Sequence, residues 1–528
     1  MRTVVGGLLL CVMNCVFAVA QQPAGCPPRP VAGSVVNEPP ALHGENGILT
    51  ASLAFHNQIS QSGSTDYCFV YQNSVEAPTL RVNPGDRIKL TLANRLHRLK
   101  TDGTDQSHDG MMMHNADAIS GDPCHGMMTA LSTNVHFHGL NVPSLCHQDE
   151  VVNTLINPTD PPFTYQIRIP KNEPPGVYWY HPHPHGMTQA QVMGGASGAI
   201  IVEGIEKLKP QGIGLKERVI ILRDSLLNII GDPDASNLTV NFVPATFPET
   251  GPPIIEMQPS EKQFWRVLNA SGETFMTLQM QVDGVAEDLD VLSLDGTPFK
   301  EDLHTKTILL PPAGRAEFIV QAPASGSLGS FITQGTDTGP DGDPNPPALL
   351  GRIQLTSSSS SDKDTMHAGK EKVDGSRFAD LGAQPATIHR KLYFSEDLTD
   401  PDNPKFFITV DGQTPKLFDP NDPPAIVTHQ GAVEDWTIEN RSGEIHAFHM
   451  HQIHFLLMKR NGKDVSNMNI QDTVDLPAWD GKAKNYPNMT LHMDFRYPES
   501  VGTFVYHCHI LDHEDGGMMA KIQVLPAK

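Results

Sequence analysis

One short run, His507-Cys508-His509-Ile510-Leu511-Asp512-His513-Glu514-Asp515-Gly516-Gly517-Met518, gathers a thiol, three imidazoles and a thioether in a chain of 528 residues. The segment leading into it, Gly502-Thr503-Phe504-Val505-Tyr506, is aromatic and β-branched, which predicts a strand. Successive side chains of a strand leave opposite faces. His507 and His509 therefore point one way, roughly 7 Å apart at about 3.3 Å per residue, and Cys508 points the other. One segment thus serves two sites. His513 and Met518 lie downstream, where a bend returns them to the Cys508 side. Cys, two His and a distant Met form the ligand set of a blue-copper electron-transfer centre. The second His has to come from elsewhere in the chain.

The chain offers it. Four His-x-His pairs are present, His136/His138, His181/His183, His449/His451 and His507/His509, with His446 just before the third. A single pair is usually an ordinary surface or core feature. Four pairs holding much of the chain's 24 histidines, beside Cys508, His513 and Met518, predict a copper cluster. His185 and His454 sit next to these motifs as supporting or surface residues.

The elements that must position them repeat. Gly and Pro number 44 each, helical periodicity is scarce and short alternating runs recur, which is all-β sandwich composition. Pro84–Asn94 has counterparts in Glu261–Asn269 and Gly431–Asn440, each a strand ending in Asn. Gly176–His183 matches Gly502–His509 position by position, and the middle copy, Gly329–Gln334, has no His-x-His. Three similar β domains are expected, at 37–205, 210–356 and 385–528, the second without copper ligands. Residues 357–384, opening on a serine run and charged to about Arg377, read as a flexible linker.

His446-Ala447-Phe448-His449-Met450-His451 and the His507–Met518 run resemble the signatures of multicopper oxidases, and the resemblance covers essentially the whole chain after its leader. The Glu514–Met519 tail is most similar to the cuprous-oxidase and bilirubin-oxidase branches, with laccases as broader relatives. Ala447 stands where Pro is common, which removes no ligand. The resemblance implies three cupredoxin-like Greek-key β-sandwich domains and four copper ions. A type 1 copper would take His446, Cys508, His513 and axial Met518. A type 2 copper would take His136 and His449. One type 3 copper would take His138, His181 and His509, and the other His183, His451 and His507. Electrons would enter at the type 1 site through an exposed His446 or His513 and reduce O2 to water at the trinuclear cluster. Asp149 and Glu514 resemble the family's proton-relay acids, with Glu150 as an alternative to Asp149.

Between Asn94 and His136 the first domain is longer than the Asn440–His449 repeat requires. The insertion carries His108, Asp109, Met111, Met112, Met113, His114, Asp117, Asp122, His125, Met127 and Met128. Thioether and imidazole select Cu(I), although Met clusters also pack as plain core. Two catalytic readings follow: a laccase-like oxidase of phenols and aromatic amines, and a metallo-oxidase of Cu(I). A non-catalytic copper-binding protein is the third and is disfavoured, because storage has no use for Cys508 wired between His507 and His509.

Met1–Ala20 reads as a cleaved secretory signal, which implies a secreted or periplasmic protein with no membrane span after its removal. Cys26, Cys68, Cys124 and Cys146 then suggest two disulfides, with Cys124–Cys146 favoured because both flank one loop region. A formal charge of −22 argues against nucleic acid and anionic membranes as partners. Four Asn-x-Ser/Thr sequons begin at Asn237, Asn269, Asn440 and Asn488.

Overall fold

The computed structural model describes residues 25–60, 62–99, 121–226, 236–245, 251–357, 373–401, 403–465 and 469–528. The expected leader Met1–Ala20 lies outside them, as do His108, Asp109, Met111, Met112, Met113, His114 and Asp117 of the insertion.

The described residues form six β-sheets in three consecutive pairs. The first pair, between residues 41 and 202, is two five-stranded sheets, the second, between 216 and 355, a seven- and a six-stranded sheet, and the third, between 388 and 525, a seven- and a five-stranded sheet. Each pair encloses its own core. Phe55, Phe69, Leu90 and Tyr165 fill the first, Trp265, Leu278, Phe318 and Phe331 the second, and Trp436, Phe448, Leu491 and Cys508 the third. Period-two alternation drives this. Along Arg87–Asn94 the buried positions are Ile88, Leu90, Leu92 and Asn94, one face of the strand.

The repeated terminal asparagine has a physical role. Asn94, Asn269 and Asn440 end the strands Arg87–Asn94, Lys262–Asn269 and Val433–Asn440. In each, Oδ1 accepts the N–H two residues on, from Leu96, Ser271 and Ser442. Nδ2 donates to carbonyls of the crossing loops, for Asn269 those of Thr274, Leu310 and Pro311. Replacing such an Asn strands buried carbonyls, at about 1–3 kcal/mol each. Asn269 and Asn440 are therefore structural corner residues, both 0 % exposed, which removes two of the four sequons as glycan acceptors in the folded chain.

The disulfides pair Cys26 with Cys68 and Cys124 with Cys146. The last part of the expected flexible linker is packed. Phe378 and Leu381 bury against Val433 and Leu456, and the Arg377 guanidinium lies 4.0 Å from the Tyr497 ring centroid. The charged composition before Arg377 hides two apolar anchors that tie this segment to the third sheet pair. No helix of the described residues is long and apolar enough to cross a membrane.

Candidate metal centre

Strand register assembles the histidines. His136–His138 pairs antiparallel with Gly176–His181, setting His136 opposite His181. His446–Met450 pairs antiparallel with Gly502–Cys508, setting His449 opposite His507 and Phe448 opposite Cys508. The two sheets carrying these strands meet, and eight imidazoles interleave between the first and third pairs. The His136 and His451 rings stack at 3.8 Å, and His138 and His449 at 3.9 Å. His183 faces His507 with ring centroids 5.1 Å apart. All eight are 2 % exposed or less.

Their nitrogens divide into two sets. Outward nitrogens are engaged: His136 Nδ1 lies 3.0 Å from Asp149 Oδ1, His138 Nε2 3.2 Å from Asp472 Oδ1, His181 Nδ1 2.9 Å from the Pro182 carbonyl and His449 Nδ1 2.8 Å from the Asp472 carbonyl. Inward nitrogens are orphaned. His136 Nε2, His138 Nδ1, His181 Nε2, His449 Nε2, His451 Nδ1 and both nitrogens of His509 are buried with no hydrogen-bond partner. Leaving one such atom unpaired costs about 1–3 kcal/mol, so seven together mark a place built for something else to bind. Burial, helped by mutual repulsion, pushes His136, His138, His183 and His451 well below the usual imidazole range. Neutral imidazole is the metal-binding form. Nitrogen atoms of His136/His138/His181, of His136/His449/His451 and of His183/His451/His507 lie within 4.8 Å of one another. Orphaned, neutral, convergent imidazoles fit copper ions.

The second site lies on the other side of Cys508. Its Sγ is 3.6 Å from His446 Nδ1 and 3.9 Å from His513 Nδ1, and Met518 is fully buried in the same core. Burial raises the thiol, but the two imidazoles outweigh it and bring Cys508 down to about 7. A thiolate-ready sulfur between two imidazole nitrogens suits copper. The outward nitrogens again have partners. His446 Nε2 lies 2.8 Å from Ser442 Oγ and 3.2 Å from Glu396 Oε1, and His513 Nε2 lies 3.2 Å from Glu444 Oε2.

The expectation of an exposed His446 or His513 is overturned. They are 0 % and 2 % exposed, because Phe394 covers the first ring at 4.6 Å and Phe406 stacks on the second at 4.1 Å. Between the rings and the surface stand Glu396, Ser442 and Glu444, whose oxygens contact the two outward nitrogens.

Of the expected relay acids, Asp149 accepts the Phe137 N–H at 2.8 Å and Gln452 Nε2 at 2.6 Å besides facing His136. Burial, only partly offset by these donors, raises it to about 7. Glu514 places Oε2 3.2 Å from His507 Nδ1 and Oε1 3.5 Å from His183 Nδ1; burial holds it well above the usual carboxylate range. Glu150 faces away, accepting the backbone N–H groups of Val152, Asn153 and Thr154 as a turn cap. His185 is partly buried against Phe418 at 4.9 Å. His454 is fully buried between the Asp295 carbonyl at 3.0 Å and Asp472 Oδ2 at 3.4 Å. Asp122 and His125, at the described end of the insertion, form an exposed 3.6 Å pair.

Asp472 and Arg315 also belong to this site, though no motif in the sequence marks them. Asp472 orients His138 through its carboxylate and His449 through its carbonyl, and Arg315 of the middle sheet pair grips it with Nη1–Oδ1 at 2.6 Å and Nη2–Oδ2 at 2.5 Å. Burial would raise Asp472; the Arg315 charge outweighs this and holds it down at about 2. The middle sheet pair, without a His-x-His of its own, thus fixes two imidazoles of its neighbours. Arg315→Met leaves a buried carboxylate unpaired. The expected result is a loss of about 3–5 kcal/mol in denaturant unfolding and about 10–100-fold weaker copper retention at the histidine cluster. Unchanged stability and copper content would show that Arg315 does not hold Asp472.

Profiles of the multicopper oxidase family match residues 127–207 and 390–528. A multicopper oxidase of Staphylococcus haemolyticus is 24 % identical over 475 residues, spanning 86 % of this chain and 83 % of that protein. The laccase of Bacillus subtilis is 23 % identical over 494 residues, spanning 86 % and 89 %. The solved structure of a multicopper oxidase from Campylobacter jejuni, described as a metallo-oxidase, superposes with a TM-score of 0.67 at 21 % identity, over 94 % of this chain and 96 % of that one. With the two histidine-lined sites between and within the outer sheet pairs, these matches lead to one conclusion: the chain carries multicopper oxidase domains at residues 127–207 and 390–528 and is a copper-dependent oxidoreductase that uses O2 as acceptor.

Proposed function

We propose that this chain is a laccase-like oxidase that takes single electrons from small phenols and aromatic amines beside His446 and delivers them to O2. The observation that carries this reading is a cavity of about 330 Å³ lined by Pro340, Asp341, Glu396, Leu398, Arg441 and Trp479. Glu396, in its lining, is the carboxylate that contacts His446. Trp479, Leu398 and Pro340 offer apolar surface for an aromatic ring, and the charged groups Glu396, Asp341 and Arg441 offer partners for its hydroxyl or amine.

His446, Cys508, His513 and Met518 would hold one copper. His136, His138, His181, His183, His449, His451, His507 and His509 would hold three. Copper bound there supplies one-electron acceptance at the first site and four-electron reduction of O2 at the second. The chain's own groups do the rest. A phenol O–H donates to the Glu396 carboxylate, which accepts the proton as the electron leaves. Cys508 is bonded through the backbone to both His507 and His509, and His507 Nδ1 lies 2.8 Å from the Cys508 carbonyl, so the two sites share a short covalent route. Asp149 and Glu514 stand at the edge of the cluster as proton holders for water formation, at Asp149 Oδ1 and Oδ2 and at the two Glu514 oxygens. The covering of His446 and His513 by Phe394 and Phe406 keeps water from the thiolate. Two disulfides support export to the periplasm or beyond.

A second reading, oxidation of Cu(I), is favoured by the carboxylates around His513. Glu444 contacts its Nε2, and Asp512 Oδ1 is buried without a partner. Oxygen uptake by the copper-loaded chain with a methoxyphenol and with Cu(I) separates the two. Glu396→Gln is expected to lower kcat/KM for the phenol by about 10²-fold. Cu(I) turnover that far exceeds phenol turnover, and that falls when residues 108–128 are deleted, would transfer the assignment to the metallo-oxidase. Absence of O2 uptake with a full copper load would leave only copper binding.

A further inference from the structure

A second cavity, of about 670 Å³, lies on the first sheet pair and has no part in the copper chemistry. Arg87, Arg168, Lys171, His147, Gln148 and Gln166 line it. Arg87 and Arg168 are directly opposite each other in the antiparallel pairing of Arg87–Asn94 with Phe163–Arg168, both exposed on the same outer face. Lys171 stands beside them over the Gly85 turn, where a Cβ on Gly85 would lie 3.3 Å from the Lys171 Cγ. Like charges placed directly across a strand pair repel and destabilise the pairing.

In a chain with 60 acidic and 38 basic residues, carboxylates to relieve this repulsion are plentiful. None is used. Among the described residues, the side chains of Arg87, Arg168 and Lys171 have neither ion pair nor hydrogen bond. Glu499, the acid at the rim, lies toward Arg377 at 3.5 Å.

The walls are fixed. The loop carrying His147 and Gln148 is tied down by the Cys124–Cys146 disulfide and by two bonds to the strand that carries Arg168. One runs from Gln166 N–H to the His147 carbonyl at 2.6 Å, and the other joins His147 Nδ1 and the Thr164 carbonyl at 2.8 Å. Three unpaired cations thus face a cavity whose other side is a rigid amide and imidazole wall. Guanidinium groups present planar forks that match oxyanions, and side-chain amides add neutral donors.

We propose that this cavity is a binding site for a small multivalent oxyanion, phosphate-bearing or polycarboxylate, with Arg87 and Arg168 as its paired anchors and Lys171 as a third charge. The ligand bridges the two guanidinium groups and removes their mutual repulsion.

Isothermal titration of the copper-loaded full chain at fixed ionic strength tests this, with inorganic phosphate in one arm and tricarballylate in the other. The expected result is saturable one-to-one binding of at least one of them. Arg87→Gln/Arg168→Gln is expected to weaken it at least tenfold, and Lys171→Gln to weaken it by less. Phenol oxidation and the blue absorption stay unchanged in both, which shows that the variants fold. A Lys262→Gln/Lys463→Gln variant, which removes the same charge from exposed positions elsewhere, is expected to bind normally. Tighter binding of phosphate identifies a phosphate-bearing ligand, and tighter binding of tricarballylate a polycarboxylate. No saturable binding of either anion, or equal weakening by the distant lysine pair, overturns the proposal.

Discussion

Cys508→Ser is expected to lower donor turnover by about 10³-fold or more and to abolish the intense visible absorption, while copper at the histidine cluster is retained. Cys508 is the free cysteine among the described residues and is buried. Serine keeps the volume and the strand but replaces a soft, readily ionised sulfur by a hard hydroxyl that does not ionise near neutral pH. The effect is confined because side-chain parity separates the two sites. His507 and His509 leave the strand on the opposite face and keep their own contacts, so the cluster imidazoles stay where they are. Absorption spectra, copper content and O2 uptake on one preparation decide the matter. A variant that stays blue would remove Cys508 from the assigned role, and one that loses all its copper would show that the two sites are not separable.

Asp149→Ala should cut kcat by about 10²-fold with the KM for the donor nearly unchanged. Asp149 bonds to His136, to the Phe137 amide and to Gln452 at once, so truncation frees an imidazole of the cluster and removes the carboxyl that faces it. The donor cavity is lined by other residues, so anaerobic reduction of the blue band by a phenol should proceed at the wild-type rate. Glu150→Ala, which loses only a turn cap, is the matched control and should stay within about twofold of wild type. A kcat loss shared equally by the two variants would mean that loop integrity, rather than the Asp149 carboxyl, is what matters.

Local patterns carried much of the fold and of both candidate metal sites. Period-two alternation and His-x-His spacing told which imidazoles share a face, and the repeated strand-ending Asn marked the three equivalent sheet pairs. What remained hidden lies across long sequence distances. Arg315 and Asp472 are 157 residues apart and belong to different sheet pairs; neither carries a local signature. Asp149 and Glu150 are neighbours in a turn, where strand parity stops and only tertiary packing decides which carboxyl turns inward. The same reason misled the reading of His446 and His513. Phe394, Phe406 and Glu396, which cover them, come from strands about fifty to just over a hundred residues earlier in the chain, and nothing in the histidine motifs announces that cover.

The most direct test is the stoichiometry of O2 uptake by the copper-loaded protein with a limiting one-electron phenolic donor, with peroxide measured alongside. The expected result is one O2 consumed for every four donors oxidised, with no peroxide accumulating. Two donors per O2 with matching peroxide, or oxidation of the donor without O2 uptake, would contradict it.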